Sequence, residues 1–188
     1  MIKTFKNMNT DNKGKNNEVY TRKLESDKLV NCMNKEGYND KDLVVWCPFD
    51  KEDSNIVKSL KENGYNVIYT HIDDGYDFLE FEPDFVFDIM ISNPPFSKRT
   101  KFFNKINSYN KPYIMLQPIM FFNNNSMIRE LVKDSDRYRF LMPNNRMGFI
   151  KEDDEGFLVE KDKTTSFYSF WLCKDCFMKK KVFNNLEE

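Results

Sequence analysis

Histidine, glycine and long apolar runs are scarce in this chain of 188 residues. There is one histidine, His71, so no histidine cluster can complete a metal site. Only six glycines are present, and none forms a glycine-rich loop after a strand. That excludes a phosphate cradle of the dinucleotide or P-loop kind. No apolar run reaches membrane-spanning length, and Met1-Ile2-Lys3 leads into Lys- and Asn-rich sequence, unlike a signal peptide. These features predict a cytoplasmic protein without a membrane partner. Excess charge is lacking as well: the net charge is −1, so no global basic field is available to hold nucleic acid. Any polyanion contact must come from a local patch. Of the four cysteines, only Cys173 and Cys176 have a metal-like spacing, and no second pair joins them. Cys47 lies in an apolar run and Cys32 in a helical one, where free thiols pack as small hydrophobes. All four are read as reduced, with no metal.

What is present describes an ordinary folded chain, 40% hydrophobic and 31% charged. The length suits one core-bearing domain. Residues 1–17 read as a mobile Lys- and Asn-rich tail, 18–176 as the single domain and 177–188 as a charged tail that frays.

Within the domain, apolar strands alternate with amphipathic helices. A helix capped by Ser26 or Asp27, with Leu24, Leu29, Val30 and Met33 on one face, ends at Gly37. Leu43–Cys47 is a fully apolar strand broken by Pro48-Phe49-Asp50. A helix over 52–63 follows, with Asp50 and Asp53 as a capping-box variant. Its N-terminus carries unpaired N–H groups, a seat for a carboxylate or phosphate. Asn66–Thr70 is the next strand. An acidic residue just after it is placed to take ribose hydroxyls in a nucleoside-binding α/β domain. Asp73 is the candidate and Asp74 the fallback; a solvated acidic turn explains them equally well. A helix from Lys98 turns Phe102, Phe103 and Ile106 inward, Tyr113–Gln117 is a strand, and 119–133 is a helix interrupted near Asn123–Asn125. Two short apolar pieces, 138–143 and 146–150, precede a surface loop over 151–163 and a β-prone strand over 165–173. The alternation predicts a mainly parallel α/β sheet.

The chemistry concentrates at Phe87–Phe96. A β-rich apolar run ends in Ser92-Asn93 and is stopped by Pro94 and Pro95, which lack an N–H and fix φ. Residues before proline are held extended, so Asn93 and Pro94 lie at the strand's carboxyl end, where open α/β sheets bind ligands. Asn93 offers an amide oxygen, Pro94 a carbonyl and Phe96 a flat apolar face. Two acceptors and a ring suit a planar group bearing an NH2, with stacking on its plane. A strand followed by a rigid Pro-Pro turn is the plainer account.

Asn93-Pro94-Pro95-Phe96 resembles the [DNS]-P-P-[YFW] tetrapeptide of N6-adenine amino-methyltransferases. The chain is most similar to the small, EcoRI-methylase-like adenine-specific DNA methyltransferases of phages and low-GC bacteria. The shared blocks are Glu18–Thr21, Val45–Asn55, Asp77-Phe78, Ile91–Phe96, Asn145–Met147 and Ser166–Trp171. The resemblance implies a Rossmann-like class I methyltransferase fold, with helices on both faces of the sheet and an antiparallel C-terminal strand. It implies S-adenosylmethionine as cofactor and methyl transfer to the adenine amine. The cofactor loop falls on Cys47, Pro48, Phe49 and Asp50, the ribose acid on Asp73, and the adenine-ring contact on Asp77 with Phe78. The catalytic tetrapeptide is Asn93, Pro94, Pro95 and Phe96, with Asn93 also against the cofactor. Tyr20 and Thr21 lie on the block that closes over the cofactor. Arg22 stands where the family often has Pro, and Arg146-Met147-Gly148 departs from its usual version. Lys98, Arg99 and Arg146 are the expected nucleic-acid contacts, with DNA the expected partner. No separate target-recognition domain is evident, which leaves that role open to a protein partner. Two other functions remain compatible with these residues. One is a methyltransferase acting on RNA or on a protein amide, which also presents a planar NH2. The other is a catalytically silent protein of this fold that binds a phage or host defence component.

Overall fold

The computed structural model describes residues 19–38, 40–152, 158–160, 167–177 and 179–186. The expectation of a tail over 1–17, the Glu18 and Ser166 ends of two shared blocks, and much of the 151–163 segment lie outside them.

The continuous apolar strands bury both faces because successive side chains point to opposite sides of a sheet covered on each face. In β2 (Val44–Cys47), Val45 and Cys47 face one core and Trp46 the other. In β4 (Ile89–Ser92) the split is Ile89 and Ile91 against Met90, and in β5 (Tyr113–Pro118) it is Ile114 and Leu116 against Tyr113 and Met115. The first core is closed by α1 (Lys23–Lys35) and α2 (Asn55–Glu62), the second by α3 (Arg99–Ser108) and α4 (Asn125–Lys133). Helices α1 and α2 are tied by Asp27, which accepts from Ser59 Oγ at 2.7 Å and pairs with Lys23 at 2.5 Å.

With β3 (Asn66–Tyr69), β6 (Tyr138–Met142), β9 (Ser169–Lys174) and β10 (Phe183–Asn185), the main sheet has seven strands in the order β10-β6-β9-β5-β4-β2-β3. All neighbours are parallel except β9, which runs antiparallel between β5 and β6. This is the expected Rossmann-like plan: mainly parallel, helices on both faces, one antiparallel strand near the C-terminus. Strand β2 has β3 on one side and β4 on the other, so the chain reverses direction across the sheet there. The crevice at the carboxyl ends of β2 and β4 is the topological switch point.

Several elements differ from expectation. Helix α1 opens at Lys23 with Arg22 as its cap residue and no side-chain cap bond. Ser26 lies a turn inside, bonding back to the Arg22 carbonyl at 3.1 Å. Leu24, expected to face inward, sits 59% exposed in the first turn, and Glu25 and Ser26 take the buried side. Helix α2 starts at Asn55 rather than 52, because Ser54 is the cap: its hydroxyl accepts from Val57 N at 3.3 Å. The proposed Asp50–Asp53 box does not form, since Asp50 is buried against β4. The segment expected as a surface loop after 150 instead contributes β7 (Phe149–Glu152) and β8 (Leu158–Glu160). With β1 (Val19–Thr21) these make a second, antiparallel sheet in the order β1-β7-β8. Nor is the C-terminal stretch simply a charged tail. Residues 183–185 form β10 against β6, and Leu186 is buried. Its charge concealed an apolar pair, Phe183 and Leu186, with Phe183 stacked on Phe140 at 4.8 Å.

Candidate active site

Two neighbouring parallel strands deliver the site. Val45 and Trp46 of β2 lie in register with Ile89 and Met90 of β4. The loop after Cys47 and the turn after Ser92 therefore emerge side by side. Cys47 is fully buried, Pro48 is buried, and the Phe49 ring packs on Phe78 at 4.6 Å and Phe102 at 5.1 Å. Asp50 is 7% exposed and turns inward, accepting a short hydrogen bond from the Ser92 hydroxyl. Ser92 Oγ in turn accepts from Phe49 N at 3.2 Å. Burial pushes the Asp50 carboxyl up to about 6, and hydrogen bonds from Ser92 and Ser54 pull against that rise. Asp50 charge and burial together push the neighbouring Cys47 thiol well up, burial being the larger cause.

Asn93 follows directly. Its side-chain oxygen is buried, as is Pro94, while Pro95 and Phe96 are half-buried. Among the described residues none donates a hydrogen bond to the Pro94 carbonyl. Phe96 meets Phe167, at the entry to β9, with ring centres 5.8 Å apart and planes at 70°. The two rings make a corner. Lys98 (φ +54°) and Arg99 open α3 next to this turn, with Lys98 exposed. Further along the same edge of the sheet, the Arg146 guanidinium lies 5.3 Å over the ring of Tyr168, which is 41% exposed. Tyr168 is anchored through its carbonyl, which accepts from Ile119 N at 2.8 Å beyond the end of β5. Phe96, Phe167, Tyr168 and Arg146 thus line the carboxyl edge from β4 across to β6.

On the other side of the switch point, the chain leaving β3 turns through Ile72–Asp74. His71, buried, accepts from Asp73 N at 3.1 Å and fixes that turn. The Asp73 carboxylate is half-exposed and pairs with Lys51 of the β2–α2 loop at 2.5 Å. Lys51 holds the Asp73 carboxyl below its usual range. Asp74 is exposed. Asp77 closes its own turn by accepting from Leu79 N at 2.9 Å, and Phe78 is 3% exposed in an aromatic cluster around Trp46. Lys105 of α3 clasps this loop, donating to the Phe81 carbonyl at 2.8 Å. The Asp77 carboxylate is therefore engaged in its own turn, and the Phe78 ring is committed to the core.

The N-terminal strand is tied to the start of α2. Asn55 donates to the Thr21 carbonyl at 2.9 Å, and Thr21 Oγ1 is buried without a hydrogen-bond partner. Tyr20 is half-buried beside it. Sequence reasoning missed four contributors here: Ser92, Lys51, Phe167 and Tyr168. All four lie within the shared sequence blocks, and the aromatic pair also stands out as two adjacent rings at the start of a β-prone run. Cys173 and Cys176 are buried and their thiols point to main-chain carbonyls, that of Cys176 to the Lys174 carbonyl at 3.2 Å. No three potential ligands cluster among the described residues, and no helix among them is long and apolar enough to cross a membrane.

No protein-family model and no curated protein matches the sequence. Among solved structures, one that resembles this chain is an S-adenosylmethionine-dependent O-methyltransferase from Thermotoga maritima. Identity is 12% and the TM-score 0.33, over 78% of this chain and 65% of that one, less than two thirds of its length. A second, described as a candidate methyltransferase from Thermoplasma acidophilum, gives 15% and 0.35 over 85% of this chain and 67% of that one. At these scores the assignment of fold rests on the strand order itself.

Proposed function

We propose that this chain is an S-adenosylmethionine-dependent methyltransferase acting on the exocyclic amine of adenine in DNA. The observation that carries the reading is the turn Asn93–Phe96 at the switch point, held in register beside the 48–50 loop by Ser92. A buried amide oxygen, a carbonyl with no local hydrogen bond and a ring corner stand together at the one edge where this fold type binds ligands.

The residues fit the cofactor at two ends. Thr21 Oγ1, a buried oxygen with no partner, and the N-terminus of α2 flank the place for a carboxylate. Asp73, half-exposed past β3, is available for a ribose diol once Lys51 shares it. Asp77 and Phe78 fit less well as ring contacts, since both are engaged within the protein. The bound cofactor would supply an electrophilic sulfonium methyl group.

The protein's own contribution is orientation. The amine of adenine is a weak nucleophile because its lone pair is delocalised into the ring. Donating both N–H bonds to Asn93 Oδ1 and Pro94 O favours a pyramidal nitrogen whose lone pair projects toward the methyl. The same two acceptors stabilise the positive charge that develops on nitrogen. Stacking on Phe96 holds the base plane, and the base must leave its helical stack to reach the pocket. Lys98, Arg99 and Arg146 supply a local cationic edge for phosphates, which a chain of near-zero net charge requires.

The test is transfer of labelled methyl groups to DNA, RNA and protein fractions in parallel. Label on N6-methyladenine in DNA supports the reading; label on RNA or on protein amides moves the substrate. No label in any fraction, with no cofactor binding by calorimetry, overturns it.

A further inference from the structure

We propose that Asp50 is a positioning residue for methyl transfer: acting through Ser92, its carboxylate sets where the Asn93 amide stands relative to the loop that follows β2. This rests on the methyltransferase reading above and adds to it a residue that touches neither acceptor nor methyl group.

The geometry is a two-step relay across the switch point. Phe49 N donates to Ser92 Oγ at 3.2 Å, and the Ser92 hydroxyl donates to Asp50 Oδ2. One hydroxyl at the end of β4 is thereby used as acceptor and donor by two consecutive residues of the β2 loop. Ser92 is fully buried and immediately precedes Asn93, and Pro94 restricts Asn93 from the other side. Ser92 and Pro94 thus constrain Asn93 from both sides, and the Ser92 side is anchored on the loop.

Energetics argue that this carboxylate is more than a fastener. Asp50 is buried with no cationic partner among the described residues; its neighbours are the hydroxyls of Ser92 and Ser54 and the Cys47 thiol. Lys61 of α2 acts on Cys47 only from a distance. A buried carboxylate satisfied only by hydroxyls is costly, and an amide of the same shape would bridge the two strands at less expense. What only the ionised carboxylate provides is an obligatory acceptor, which forces the Ser92 hydrogen toward the loop and leaves the Ser92 lone pairs for Phe49 N. Protonation removes that obligation, and the relay loses its direction.

Two readouts test this independently. In wild-type protein, the Asn93 side-chain amide resonances should shift with pH, with a midpoint near the Asp50 value of about 6. They should show no such step in Asp50→Asn. This holds whether or not the protein transfers methyl groups, so it separates failure of the relay from failure of the enzyme reading. In kinetics, kcat should fall roughly tenfold per pH unit on the acid side of that midpoint. The limb should be flattened in Asp50→Asn, with the cofactor KM changed less than kcat. Ser92→Ala should reproduce the kcat loss of Asp50→Asn, and the double variant should be no worse than either. An unshifted Asn93 resonance, an acid limb that persists in Asp50→Asn, or additive losses would each overturn the relay. Absence of both methyl transfer and cofactor binding, with the Asn93 step intact, would overturn the enzyme reading alone.

Discussion

The guanidinium of Arg22 occupies the space in which a side chain at Gly148 would begin. The two positions are far apart in the chain, and they meet in space. Arg22 joins β1 to α1, while Gly148 leads into β7, which pairs with β1. A residue with a Cβ at 148 requires the guanidinium to move, and a long flexible side chain can do so. Gly148→Ala should therefore cost about 1 kcal/mol. In an Arg22→Ala background that cost should vanish, giving a coupling of at least about 0.5 kcal/mol in a denaturant double-mutant cycle. Additive effects would show that the contact does not constrain either position.

Asn93→Ala should reduce methyl transfer by orders of magnitude while cofactor affinity, read by calorimetry, stays near the wild-type value. Equal loss of both would contradict an acceptor-binding role. Phe96→Ala should instead weaken acceptor binding by about 1–3 kcal/mol, the worth of one stacked base, and appear mainly in the acceptor KM.

Asp50 should oppose stability at neutral pH. Its folded value near 6 lies above the ordinary 3.8, so the folded chain holds this proton more tightly than the unfolded one. The contribution to stability is present below about 3.8 and is lost as pH rises through 6, a change of about 3 kcal/mol. Asp50→Asn should raise the unfolding free energy at pH 8 and change it far less at pH 4. Denaturant titrations at the two pH values decide this; an equal effect at both would show that the buried carboxylate carries no such cost.

Asp73→Ala should weaken cofactor binding, and Lys51→Ala should change it less, because the lysine is a competitor for the same carboxylate rather than the group that holds ribose. Calorimetric titration of both variants checks the order. If Lys51→Ala loses more affinity than Asp73→Ala, the lysine is itself the ligand-binding group.

Arg146→Ala should weaken DNA binding and lower the slope of log affinity against log salt by about 1, the signature of one lost phosphate contact. Should Arg146 act by stacking with Tyr168 on a base instead, affinity would fall with the slope unchanged. Salt titrations of wild type and variant distinguish the two.

Local pattern made most of the scaffold legible. Runs such as 89–91 and 113–116 are apolar at every position, which a sheet covered on both faces accommodates. Proline then marks where β2 and β4 must stop, so Pro48 and Asn93–Phe96 could be assigned to the carboxyl edge from the chain alone. The break at Asn124, which caps α4 by accepting from Ser126 N at 3.0 Å, was visible for the same reason. Helix starts were less legible. Ser26, Asp27 and Asp53 are all capable caps, yet α1 opens behind Arg22 with no side-chain cap bond and α2 behind Ser54, whose hydroxyl accepts from Val57 N.

The sequence by itself determined the alternation of strands and helices, the sheet edge that carries Asn93–Phe96, and the residue types gathered there, because hydrophobic period and proline geometry act within a few residues. Only the tertiary structure decided that Asp50 turns inward to Ser92, that Phe78 belongs to the core, that Lys51 answers Asp73, and that residues 183–185 close the sheet. Each of these joins groups roughly twenty to forty or more positions apart. Their energies depend on burial and on which partner arrives, and a chain carries neither until its strands are laid side by side.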